Sequence, residues 1–127
     1  MKNLLFILAI IISSFSFAQG NLQFNQVVNL SYSGTGTGKI NVGSLAVPAG
    51  KVWKITSASA TRSNTLLQQI ALFVGDHIVF ANYSAYYSNF QAVPLWLSEG
   101  IYDVHMWTNN DGPRLGSISV LEFNVVP

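Results

Sequence analysis

From Leu22 onward the apolar residues of this chain recur with a period of two, in short runs cut by Gly, Pro and Asn. Lys51 to Ala58 is the clearest run. Val52, Lys54 and Thr56 fall on one face; Trp53, Ile55 and Ser57 fall on the other. That is the period of a strand, whose successive side chains point to opposite sides of a sheet. Leu66 to Val74 contains the helix formers Leu, Gln and Ala. Ile70, Leu72 and Val74 alternate there with Ala71 and Phe73, which favours a strand.

The remaining runs read the same way. Leu22 to Leu30 is a first strand, and the adjacent Val27 and Val28 imply a slip absorbed by a bulge. Ser31 to Lys39, with Gly34, Gly36 and Gly38, reads as a hairpin or surface loop. A phosphate loop would need a following Gly-Lys-Ser/Thr and a helix, and neither is present. Ile40 to Val47 closes on the turn Pro48-Ala49-Gly50. Residues 70 to 82 form a hairpin about Gly75-Asp76, and Tyr83 to Gln91 is a polar-aromatic loop. Pro94 places Ala92 to Leu97 at a sheet edge or at a strand start. Ile101 to Thr108 and Leu115 to Phe123 are the last two strands, divided by Asn109 to Pro113.

The pattern predicts an all-β, single-domain antiparallel β-sandwich, jelly-roll-like, of about eight strands. An immunoglobulin sandwich lacks its Cys…Trp…Cys signature here. Val47-Pro48-Ala49-Gly50 and Leu97-Ser98-Glu99-Gly100 are alike and are expected at equivalent corners of two stacked sheets. Both stretches resemble corners of secreted and viral jelly rolls, a likeness that carries no catalytic residue.

The first residues carry a different signal. Lys2 is followed by a continuous apolar run, Leu4 to Ile12, and then by small residues ending at Ala18. This predicts a cleaved signal peptide over residues 1–18 and a domain over residues 19–127. The run is shorter than the roughly 20 residues that span a bilayer, so no membrane span is expected. The protein is expected to be secreted, periplasmic or on a bacterial cell surface. It has no cysteine, so no disulfide supports it in an oxidising compartment. Only 9% of residues are charged, and removal of Lys2 makes the chain neutral. Neutrality permits self-association.

The chemistry on offer is thin. There is no nucleophile elbow, and His77 and His105 are the only imidazoles. Asp103 and Glu122 are the carboxylates inside strands, read as outward residues on a wet face. Asn109 to Gly112 has calcium-loop composition without its spacing. Lys39, Lys51, Lys54, Arg62 and Arg114 are too few and too scattered for nucleic acid. The chain is therefore expected to be no enzyme and to need no cofactor or metal.

Two aromatic groups remain. Tyr83, Tyr86, Tyr87 and Phe90 lie in a loop rich in Ser and Asn, a composition suited to recognition. Asp103, His105 and Trp107 share one strand face, with His77 the candidate partner for a metal. With Trp96 they form the candidate ligand or interface set, while Trp53 reads as a core or interface anchor. The expected function is a non-catalytic structural module that forms a homo-oligomer through aromatic surfaces. The alternative is a carbohydrate-binding module, with a glycan as partner, using the Tyr83 to Phe90 loop or the Asp103/His105/Trp107 face.

Overall fold

The computed structural model describes residues 21–62, 69–82 and 89–126. The signal segment, the tyrosines of the 83–88 loop and the start of the Leu66 to Val74 run lie outside them. Nine strands occur in the order β1 (Asn21–Thr35), β2 (Gly38–Val47), β3 (Lys51–Arg62), β4 (Ile70–Val74), β5 (His77–Asn82), β6 (Asn89–Gln91), β7 (Leu95–Leu97), β8 (Gly100–Thr108) and β9 (Pro113–Val126). The ninth, beyond the expected eight or so, is the three-residue β6, which continues the sheet at the start of the expected loop's last stretch.

Two antiparallel sheets face each other. One has the order β1-β9-β3-β7 and the other β2-β8-β4-β5-β6. Successive strands mostly alternate between sheets, and the first strand lies beside the last. This is jelly-roll connectivity. It also corrects one expectation. Residues 31–39 do not form a hairpin: β1 runs on to Thr35, and Gly36-Thr37 is a two-residue corner that carries the chain into the other sheet.

The two similar turn sequences are such corners. Pro48 to Gly50 leads from β2 across to β3, and Ser98-Glu99 leads from β7 across to β8. They sit side by side, and the Gly50 N–H donates to Glu99 Oε2 at 2.9 Å. Gly50 has φ 71°, a conformation open to glycine at little cost.

Ile55, Leu72, Val74, Val79, Val104, Met106 and Val120 are fully buried between the sheets, with Trp53 among them. Trp53 is thus a core residue. The alternation of Ile70, Leu72 and Val74 inward with Phe73 outward is as the sequence predicts. Bulges shift the rest. The extra residue of β1 is Asn25, not one of the adjacent valines. In β3 the extra residue is Thr56: Ile55 pairs with Val120, and Ser57 pairs with the very next residue of β9, Ser119. Before Thr56 the odd positions Trp53 and Ile55 face inward. After it the even positions do, so Ala58 is buried and Ser57 is exposed. The expectation that Ser57 shares the face of Trp53 and Ile55 fails for this reason.

Candidate functional site

The inward face of β9 carries two charges. Arg114 and Glu122 are 1% and 3% exposed, at opposite ends of the strand. Eight residues of strand separate them by about 26 Å. Glu122 is therefore not on a wet face. Its Oε2 accepts from the Trp53 indole at 2.8 Å, and its Oε1 accepts from Asn25 and, at 3.0 Å, from Gln26. Lys51 Nζ stands 4.0 Å from Oε1. Burial alone pushes this carboxyl up. The hydrogen bonds from Asn25, Trp53 and Gln26, with the charge of Lys51, outweigh burial and hold it below the usual glutamate value. Asn25 is the bulged residue of β1. The bulge thus supplies one of the groups that make a buried carboxylate tolerable.

Above that cluster, the outward face of the four-stranded sheet is apolar. Phe24 of β1 pairs with Phe123 of β9, their rings edge to face with centroids 6.2 Å apart. Trp96 of β7 lies 5.6 Å from the same Phe123 ring, and Lys54 Nζ stands 5.1 Å from the Trp96 ring. Leu22 pairs with Val125 and Val27 with Leu121. Phe24 is 60% exposed and Trp96 48%, and Leu22, Val27 and Val125 are also exposed. Exposed rings and aliphatics joined in one band differ from the scattered single hydrophobes of an ordinary surface.

The other half of this face is hydroxylic. Ser31, Ser117 and Ser59 occupy one row across β1, β9 and β3, and the last two hydrogen-bond at 2.7 Å. A shallow depression of about 220 Å³ opens beside them, floored in part by Gly116.

The band ends at β1, an edge strand. Among the described residues β1 pairs on one side only, with β9. It is 15 residues long and contains no charged residue and no proline. Natural edges are normally shortened, charged or interrupted by proline. β6 and β7, the edges on the other side, are three residues each, and Pro94 immediately precedes β7.

The residues singled out from the sequence separate. Asp103, His105 and Trp107 do share a face, the outward one of the five-stranded sheet. Their neighbours on β2 are Ser44, Asn41 and Lys39. Phe73 of β4 lies beside His105, and Lys39 Nζ stands 4.5 Å from the Phe73 ring. His105 Nδ1 is buried without a hydrogen-bond partner. Phe90 of β6 is exposed on the same sheet, separated from Trp107 by Ala81 and Ala71, one on each intervening strand. Three strand spacings make that about 14 Å. Trp96 belongs to the opposite sheet and joins none of them. Tyr83, Tyr86 and Tyr87 lie outside the described residues. Among the described residues no group of three or more His, Asp or Glu side chains is placed to hold a metal ion. Nor is any helix among them long and apolar enough to cross a membrane.

Sequence reasoning missed Leu22, Phe24, Val27 and Phe123 as surface residues. A signal for them was present: a long apolar strand with no charge or proline to guard it. Comparison of the chain with family models, curated proteins and solved structures finds no match in any of the three.

Proposed function

We propose that the chain is a non-catalytic secreted or cell-surface structural module that associates with a second copy of itself along β1. The observation that carries this reading is the unguarded β1 edge: 15 residues, uncharged, with Leu22, Phe24 and Val27 exposed beside it. An edge strand offers a row of backbone donors and acceptors, and another strand satisfies them. A two-fold axis brings β1 against β1, antiparallel, with the same residues on both sides. Because β1 is uncharged, no like charges meet across that axis. With the axis near Phe24, the apolar bands of the two copies join into one surface, with Phe24 and Phe123 near its centre.

Light scattering over a concentration series tests this. The expected mass is twice that of the monomer, and a Leu22→Lys/Val27→Lys double variant is expected at the monomer mass. A wild-type monomer at the highest concentration overturns the proposal.

A second reading rests on the outward face of the five-stranded sheet. There Asn41 and Ser44 stand in register beside His105 and Asp103, with the Trp107 ring in the same row of β8. Polar groups beside a ring suit a glycan. Calorimetric titration with oligosaccharides, wild type against Trp107→Ala, tests it: heat of binding is expected from the wild type alone.

A further inference from the structure

The inward face of the sandwich brings two arginines together at the end remote from Glu122. Arg62 and Arg114 are register partners across β3 and β9. The Thr56 bulge is what turns Arg62 to the inner side. Arg114 Nη1 donates to the carbonyls of Gly38 and Met106, each at 3.0 Å, and Nη2 donates to the carbonyl of Gly36. Its Nε is buried with no partner. The Arg62 guanidinium lies against Gly112, where a Cβ would come within 2.6 Å of Nη2. Nε and Nη1 of Arg62 are also buried without partners. Burial, then the charge of Arg62, lowers the pKa of Arg114, and Asp111 partly opposes them.

The chain has no carboxylate to spare for these cations. It contains five Asp and Glu residues, and all are among the described residues. Asp76 lies in the β4–β5 turn, Asp103 faces outward, and Glu99 accepts from Gly50. Glu122 is in the one ion pair among the described residues, with Lys51. Asp111 is near enough to be felt by Arg114, but its Oδ1 accepts from the Gly112 N–H and it forms no ion pair with either arginine. Two guanidiniums on register-partner residues are thus held with neutral carbonyls, one carboxylate that pairs with neither, and three unused donor nitrogens. Buried charges are normally paired, and buried donors are normally satisfied.

We propose that Arg62 and Arg114 together bind a free phosphate or sulfate ion. Guanidinium N–H groups match oxyanions in geometry and charge, and two guanidiniums that repel each other are drawn together by one anion between them. The unused donors have no accessible surface. The ion therefore enters as Arg62, the half-buried last residue of β3, swings off Gly112. A small free ion suits that route. The inference is independent of self-association along β1, which lies on another surface.

Thermal unfolding of the secreted chain with increasing millimolar phosphate or sulfate, at ionic strength fixed with sodium chloride, tests it. The general stabilising action of these salts is read from an Arg62→Met variant. The wild-type melting temperature is expected to rise steeply at low anion concentration and then with the logarithm of concentration, as for a ligand that binds only the native state. Arg62→Met is expected to lack that steep early rise and to keep only the gradual general effect of the salt. Arg114 ties three backbone carbonyls, so its removal risks the fold, and Arg62 is the variant of choice. In parallel, the Nε–H resonances of both arginines are expected to shift in proportion to occupancy. A wild-type curve matching that of Arg62→Met, or arginine resonances that do not move with phosphate or sulfate, overturns the proposal.

Discussion

The Trp53 indole N–H donates to Glu122 Oε2 at 2.8 Å inside the sandwich, between residues 69 apart in sequence. A core tryptophan and a buried carboxylate satisfy each other. Trp53→Phe keeps most of the apolar volume and removes the donor. It is expected to cost about 1–3 kcal/mol, because one carboxylate oxygen then lacks its buried partner. Equilibrium denaturation in urea at pH 7 measures this.

The same carboxylate makes stability depend on acid. The folded state holds Glu122 ionised below the ordinary value of 4.5. As pH falls through 4.5 the unfolded chain takes up this proton first. The stability contributed by ionised Glu122 is therefore present above that value and is lost as pH falls toward the folded pKa. Glu122→Gln is expected to be less stable than wild type at pH 7, with a shallower loss of stability toward pH 3. A pH series of denaturation midpoints compares the two slopes.

Leu72 and Leu115 provide a contrast of faces. Leu72 is fully buried and Leu115 is 56% exposed. Leu72→Ala is expected to cost about 2–5 kcal/mol. Leu115→Ala is expected to stay within about 0.5 kcal/mol of wild type. Paired chemical denaturation curves decide it.

At Gly112 an added carbon meets both backbone strain and a close side chain. Its φ is 140°, and a Cβ there would meet the Arg62 guanidinium. Gly112→Ala is expected to destabilise by about 1–3 kcal/mol through backbone strain, in addition to displacing Arg62. A lowered melting temperature, with altered Arg62 side-chain resonances, is the readout.

Local patterns carried the strands and the fold class. Ile70 to Asn82 reads as a hairpin because alternation and a Gly-Asp turn lie within one short window, and it is one. What lay beyond reach was register. Arg62 and Arg114 look like scattered cations in the sequence, and only the β3–β9 pairing joins them. The Thr56 bulge that makes the pairing inward has no mark of its own, since Thr suits a strand with or without an extra residue. Glu122 sits in an alternating run, but which face is inside depends on the partner strands. The Gly36 corner reads as a hairpin or surface loop because glycine marks a turn without saying which sheet the chain enters next.

If copies associate along β1 as proposed, the inequality of that sheet's two edges sets the valence. In the β1 sheet one edge is 15 residues long and the other is the three-residue β7, entered through Pro94. Within that sheet, a unit that adds strands at β1 only has a single bond to form there. Two copies joined along β1 leave a short β7 at each outer end, and growth stops there. On the proposed association along β1, a stoichiometry of two follows from each subunit. A fibre would require β7 to become an edge as long and as bare as β1.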